Sequence, residues 1–103
     1  MALMQISVVP LGTGSSGVGE FVAGIVKKLD KQGVVYTLTD MGTVLEADIG
    51  DLLEIAAMMH EVPFQKGARR VVTHITIDDR RDKKVAIGDK ISSVINRLNI
   101  ADG

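Results

Sequence analysis

Cysteine and tryptophan are absent from the 103-residue sequence, and its aromatic residues are one tyrosine and two phenylalanines. Without cysteine the chain cannot build a disulfide framework, a thiolate zinc site or a thiol redox centre. So few aromatic rings cannot form the stacking platform that binds single-stranded nucleic acid. The composition therefore excludes these four kinds of protein and fits a reducing compartment.

An excess of charge of either sign is also missing, because 12 lysine and arginine residues face 13 aspartate and glutamate residues. A net charge of −1 provides no electrostatic footprint for nucleic acid. The first five residues lack the basic segment of a signal peptide, and no apolar run approaches the roughly 20 residues of a membrane span. We therefore expect one cytoplasmic domain comprising residues 1–103, with no nucleic-acid or membrane partner.

Aliphatic residues are abundant. The hydrophobic fraction is 46% and the aromatic fraction only 3%, so almost all of the apolar mass is Val, Ile, Leu, Ala and Met. That much aliphatic surface on a small chain indicates that part of it is buried against another subunit.

Hydrophobic periodicity predicts four strands and three helices. The strands are predicted at residues 3–10, 34–39, 43–48 and 70–77, and the first two helices at 17–32 and 50–66. Ile91, Val94, Ile95 and Leu98 mark a short third helix. The order β-α-β-β-α-β is the ferredoxin-like α+β plan, an antiparallel sheet with both crossover helices on one face, here followed by a C-terminal helix.

Alternation along the strands divides the sheet into two faces. The helix face is predicted to carry Ile6, Val8, Val34, Tyr36, Leu38, Leu45, Val71 and Ile75. The opposite face, called the open face below, would carry Ser7, Val9, Val35, Thr37, Thr39, Val44, Glu46, Val72, His74 and Thr76. The open face is too apolar for full solvation, which favours a subunit interface, a ligand floor or both.

Residues 12–17 read G-T-G-S-S-G between a predicted strand and a predicted helix. This spacing matches the dinucleotide-binding fingerprint, but the turn residues Asp40-Met41-Gly42 return the second strand at once as a hairpin. A doubly wound nucleotide-binding fold needs further parallel strands instead. Two interpretations remain open, a flexible strand-to-helix loop and a loop that lines a small-molecule site with its hydroxyls and backbone N–H groups.

Glu46 and Asp48 lie on the same side of the third predicted strand, and Glu46 falls where the sheet should be covered. A carboxylate in that position is costly unless it is paired. Glu46 is therefore either paired at an interface or exposed edge, or an acceptor for a cationic or amino-bearing ligand.

Catalytic and metal-binding patterns are not found. His60 and His74 are widely separated and lack a carboxylate cluster, which favours structural roles over metal ligation. The charged segment 78–84 is predicted to be a solvated loop with local ion pairs. Because no nucleophile with a base and no metal-ligand set can be assembled, we expect no catalytic residue, metal or cofactor.

Four segments in the same order resemble one known family: ISVVPLGTGS at 6–15, MGTVLEAD at 41–48, GARRVVT at 67–73 and IDDRRDK at 77–83. They are similar to the small, single-domain YkoF-like family of thiamine-binding proteins. The resemblance implies a ferredoxin-like domain that forms homodimers or homotetramers. The open face and the C-terminal helix are the surfaces we expect to associate. It also implies binding of thiamine or its hydroxymethylpyrimidine moiety without catalysis.

The implied ligand joins a flat aminopyrimidine to a thiazolium cation, which calls for hydroxyl and carboxylate partners. Glu46 is expected to accept from the pyrimidine or to balance the cation, while loop hydroxyls and Met41 frame the ring. The candidate ligand-binding residues are Ser7, Thr13, Ser15, Ser16, Thr39, Met41, Thr43 and Glu46. The alternative hypothesis is a regulatory or assembly module whose pocket takes an amino acid or a small anion.

Overall fold

The computed structural model describes residues 1–12 and 19–102, and side chains through residue 100. The strands are β1 (Ala2–Leu11), β2 (Val35–Thr39), β3 (Gly42–Ala47) and β4 (Arg70–Asp78). The helices are α1 (Gly19–Gln32), α2 (Ile49–Gln65) and α3 (Asp89–Asp102). The predicted order of elements is confirmed, and each strand begins and ends within one residue of its predicted bounds.

The four strands form one sheet in the order β2-β3-β1-β4, and every neighbouring pair is antiparallel. The central strand β1 pairs with β3 on one side and with β4 on the other, so that Leu3 lies opposite both Glu46 and Asp78. This strand order and the two crossover helices confirm the ferredoxin-like plan. The β2–β3 hairpin also excludes the doubly wound arrangement that a dinucleotide fingerprint would require.

The core lies between the sheet and the two crossover helices. Its main cluster is aliphatic apart from the thioethers of two methionines, and Phe21 of α1 is also buried. Its buried members are Ala2, Met4, Ile6, Ile25, Leu29, Leu45, Leu52, Ile55, Ala56, Met59 and Val62. Both α1 and α2 contribute to this one cluster, so they cover the same face of the sheet.

Alternation assigned residues to faces correctly but did not predict how far the helices reach. Leu38 and Ile75 pair with the helix-face residues Thr43 and Ile6, yet they are 50% and 46% exposed. Both lie on edge strands, β2 and β4, where the helix cover ends.

A close approach of backbones ties the β2–β3 hairpin to the central strand. Gly42 has a φ of 154°, and a Cβ atom at this position would lie 2.8 Å from the Ile6 carbonyl oxygen. Only glycine fits there without displacing backbone. This contact places the hairpin turn beside the middle of β1.

The helix α3 stands apart from the rest of the chain. Its residues 89–100 are all exposed, including Ile91, Val94, Ile95 and Leu98, and the described structure extends 53 × 30 × 22 Å. The open face is likewise left without a covering helix. Among the described helices, none is both long and apolar enough to cross a membrane.

Candidate functional site

A cavity of about 420 Å³ lies beside the β2–β3 hairpin, where β1 approaches its end. It is called the hairpin cavity below. Its walls come from β1, α1, α2 and the hairpin: Ile6, Ser7, Val8, Val9, Val22, Ile25, Leu38, Thr39, Asp40, Met41, Gly42, Thr43 and Met59. A volume of this size with largely apolar walls and a few polar groups is typical of small-molecule sites.

Four of the predicted ligand-binding residues meet in the hairpin cavity: Ser7, Thr39, Met41 and Thr43. Ser7 is half-buried on β1, and Thr43 is buried on β3. Met41 is 79% exposed at the hairpin turn, where its polarisable thioether is free to fold over a ligand. The sequence therefore identified a group of residues that the fold brings together, although they come from separate strands.

The Thr39 hydroxyl is already engaged within the hairpin. It donates to the Gly42 carbonyl oxygen at 2.7 Å and accepts from the Met41 N–H at 3.2 Å. One acceptor lone pair of this hydroxyl remains. Thr39 therefore shapes the turn first and offers a ligand an acceptor only.

Asp40 also lines the hairpin cavity, and sequence reasoning missed it as a binding residue. Asp40 itself was interpreted only as a turn residue, whereas the adjacent Met41 was a candidate ligand-binding residue. Among the described lining residues, Asp40 carries the one charged side chain, and this carboxylate is exposed. A lone negative charge beside an apolar cavity favours a cationic or amino-bearing ligand. The signal available in the sequence was a carboxylate at the tip of a short predicted hairpin.

Glu46 is not among the residues that line the hairpin cavity. It lies on the open face, three residues along β3 from Thr43, which faces the helices, and three strand residues span about 10 Å. Its carboxylate is half-buried and accepts a hydrogen bond from the Ile87 N–H at 2.8 Å. The structure thus separates Glu46 from the cluster of hydroxyls.

Thr13, Ser15 and Ser16 belong to the segment 13–18, which lies outside the described residues. The described chain on either side of this segment, at Gly12 and Gly19, leads from β1 into α1. Both of these elements line the hairpin cavity.

Tyr36 is held away from the hairpin cavity. It lies on the helix face, and its hydroxyl donates to Asp30 Oδ1 at 2.6 Å. This hydrogen bond to a carboxylate raises the pKa of Tyr36 above its ordinary value. The Tyr36 side chain therefore joins β2 to the end of α1, and it does not line the hairpin cavity.

His60 and the charged segment make local structural contacts. His60 Nδ1 lies 2.7 Å from Thr73 Oγ1, which joins α2 to β4, and His74 is exposed on the open face. Within residues 1–12 and 19–102, no group of three or more potential metal ligands occurs. In the charged segment, Arg80 pairs with Asp82 and Arg81 with Asp79, and each pairing lowers the pKa of the aspartate.

Comparison with known proteins identifies the family. The family described as thiamine-binding protein matches residues 4–95 of this sequence. The chain belongs to this family. The matched range contains the whole described lining of the hairpin cavity and ends inside α3.

Relatives and solved structures agree with this membership. The UPF0045 protein YqgV of Bacillus subtilis is 41% identical over 102 residues, which cover 95% of this chain and 98% of that protein. The crystal structure of the hypothetical protein MJ1052 from Methanocaldococcus jannaschii superposes with a TM-score of 0.78 and 29% identity, covering 90% of this chain and 94% of that one.

A Thermotoga maritima protein, proposed to act in thiamine biosynthesis or salvage, has a TM-score of 0.73 over 90% of this chain and 97% of its own. Its sequence identity is 19%, so this match shows the shared fold alone.

Proposed function

We propose that this protein binds thiamine, or its hydroxymethylpyrimidine moiety, in the hairpin cavity without chemical turnover. The observation that carries the proposal is the match to the thiamine-binding protein family over residues 4–95. That range includes every described residue that lines the cavity. The name of the Thermotoga maritima neighbour points to the same vitamin.

The chemistry of the cavity suits the two halves of thiamine. The apolar walls, with Ile6, Val9 and Leu38, accept a flat heteroaromatic ring, and the hydroxyls of Ser7 and Thr43 can hydrogen-bond its amino group and ring nitrogens. The Asp40 carboxylate provides negative charge for the thiazolium cation. Thr13, Ser15 and Ser16 join the proposed ligand set as further hydroxyls from the adjoining loop.

The same groups support a binding role without turnover. The cavity offers hydroxyls and one carboxylate, and a hydroxyl becomes a catalytic nucleophile only beside a base that activates it. We propose that the protein buffers, senses or delivers the ligand in the cytoplasm, a location that suits a chain without cysteine.

Isothermal titration calorimetry tests the proposal. Thiamine, hydroxymethylpyrimidine and thiamine phosphate are titrated into the protein, and a panel of amino acids and inorganic phosphate serves as the comparison. We expect saturable heat with thiamine or hydroxymethylpyrimidine. No binding of either at millimolar concentration refutes the proposal, and saturable heat from an amino acid or phosphate alone supports the alternative, a regulatory module.

An Asp40→Asn variant tests the place of binding. Removing an exposed carboxylate beside the cation is expected to weaken thiamine binding about two- to fivefold, with less effect on uncharged hydroxymethylpyrimidine. Asp48→Asn is the matched control, because Asp48 is also exposed but does not line the hairpin cavity. Equal effects of the two substitutions would place the cation elsewhere.

We also propose that the protein associates with a second copy of itself through the open face and α3. Val9 and Val35 on the open face, and the four apolar side chains on one side of α3, are 39–67% exposed. Leaving such a surface in water is unfavourable by roughly 25 cal/mol per Å² of apolar area. Packing the α3 stripe of one copy against the apolar open face of another removes both surfaces from water.

A further inference from the structure

The segment between β4 and α3, residues 79–88, is called the strap. Its exposed ion pairs join residues of the strap to one another, Arg80 to Asp82 and Arg81 to Asp79. They therefore order the strap locally without attaching it to the sheet. At its end, Gly88 has a φ of 94°, and Ala86 N–H donates to Asp89 Oδ2 at 2.8 Å where α3 begins.

The strap meets the sheet at Glu46. The Glu46 carboxylate accepts from the Ile87 N–H at 2.8 Å across 41 residues of sequence. Its neighbours on the adjacent strands are Leu3 and Val35, so the half-buried carboxylate has apolar residues on both sides. A carboxylate in such surroundings needs a donor, and a hydrogen bond to a charged acceptor is stronger than one between neutral groups.

One further polar side-chain contact joins the start of α3 to the end of β4. Lys90 Nζ lies 3.3 Å from Asp78 Oδ2, but both side chains are at least half exposed, and such pairs contribute little. A cavity of about 380 Å³, lined by Glu46, Lys84, Val85 and Ala86 among others, separates part of the strap from the sheet. Residues 79–84 of the strap are exposed, whereas residues 85–88, beside Glu46, are half-buried.

From these contacts we infer that Glu46 is the latch that holds the strap against the sheet and thereby sets the direction in which α3 leaves the fold. A helix of 14 residues is about 21 Å long, so a rotation of about 30° at its root moves its tip by about 10 Å. One hydrogen bond at Ile87 therefore controls a large displacement of the apolar stripe. This role is independent of what binds in the hairpin cavity.

Amide hydrogen exchange on the whole chain tests the latch at Ile87. Glu46→Ala is expected to raise the exchange rate of the Ile87 amide about tenfold or more. Glu46→Gln keeps an acceptor oxygen without the charge and should give an intermediate rate. Glu54→Ala is the matched control, because Glu54 is an exposed carboxylate that lies outside the strap contacts. The Leu45 amide in β3 reports global opening in every variant.

An Ile87 exchange rate in Glu46→Ala within twofold of the parent overturns the latch. A Glu46→Gln rate as high as that of Glu46→Ala also overturns it, because packing rather than an acceptor would then be responsible. If Glu46→Ala also raises the exchange rate of the Leu45 amide, the variant opens globally, and Glu46→Asp is then used to test the Ile87 contact. The aspartate side chain is shorter than glutamate by one methylene. We therefore expect faster amide exchange at Ile87 without faster exchange at Leu45, and the absence of this selective increase contradicts the latch.

A distance measurement tests whether Glu46 sets the direction of α3. If Glu46 only stabilised the fold, its replacement would leave this direction unchanged. Because the chain has no cysteine, spin labels can be placed at Ala57→Cys on α2 and Asn96→Cys on α3, both exposed positions, and diluted with unlabelled protein. We expect a narrow distance distribution in the parent and a clearly broader or shifted one with Glu46→Ala. Superimposable distributions contradict the inference.

Discussion

At the scale of single residues, Tyr36 gives a direct measure of one contact. It is the only tyrosine in the sequence, so ultraviolet absorbance at alkaline pH reports its ionisation alone. Because its hydroxyl donates to Asp30, we expect the midpoint of the titration to lie above the ordinary pKa of 10.0. Asp30→Ala should return the midpoint towards that value.

Asp51→Ala is the control for this titration, since Asp51 is exposed on α2 and makes no hydrogen bond to Tyr36. A midpoint that Asp30→Ala leaves unchanged would contradict the assignment. The raised pKa also links the contact to stability. The contribution is fully present below the unfolded-state pKa of about 10 and is lost as the pH rises through the higher folded-state pKa.

Residue types alone predicted which polar groups could contact a ligand, but not which hydrogen bonds those groups already make within the protein. Thr39 and Glu46 were both candidates because a hydroxyl and a carboxylate suit an aminopyrimidine. In the structure the Thr39 hydroxyl donates within its own hairpin, and the Glu46 carboxylate accepts from Ile87. Such partners depend on backbone positions that are distant in sequence, or on turn geometry, so composition could not reveal them.

At the scale of elements, α2 provides a matched pair of leucines for testing the core. Leu52 is fully buried, whereas its neighbour Leu53 is 53% exposed. Leu52→Ala is expected to lower the free energy of unfolding by about 2–5 kcal/mol, because it removes buried methyl groups and leaves a cavity. Leu53→Ala should change it by no more than about 0.5 kcal/mol.

Urea denaturation followed by circular dichroism measures both changes. Equal losses for the two variants would show that α2 does not pack in this orientation. Because both substitutions replace leucine by alanine in the same helix, helix propensity changes equally in the two and cancels from the comparison.

The elements themselves were largely predictable. Period-2 and period-3.6 patterns locate strands and helices because side chains repeat with the geometry of the backbone. Burial at the sheet edges was not predictable in the same way. Leu38 and Ile75 have the correct orientation, but the helices do not extend over them, and the reach of a neighbouring element is not encoded in local periodicity.

At the scale of the whole molecule, α3 and the open face determine whether the protein associates. Analytical sedimentation at micromolar concentration is expected to show a dimer or tetramer. Replacing Ile95 and Leu98 on the α3 stripe by serine should weaken association about tenfold or more for each side chain, since each buries apolar area in the proposed interface. A monomeric parent protein would contradict the proposed association.

Ser93→Ala combined with Asn96→Ala is the control for the sedimentation experiment. These residues lie on the opposite side of α3 from the stripe, as helical periodicity requires, and both are exposed. The association constant should remain that of the parent. An equal loss in this control would indicate that helix stability, rather than the apolar stripe, governs assembly.

Local periodicity and composition are enough to predict the order of the elements, the two faces of the sheet and the aliphatic nature of the core. The tertiary structure alone decided which polar groups meet. Ser7, Thr39 and Thr43 join Asp40 at the hairpin cavity, whereas Glu46 turns to Ile87. The scarcity of aromatic residues fixed what the core could be made of. The pairing of strands distant in sequence decided where a binding site could form.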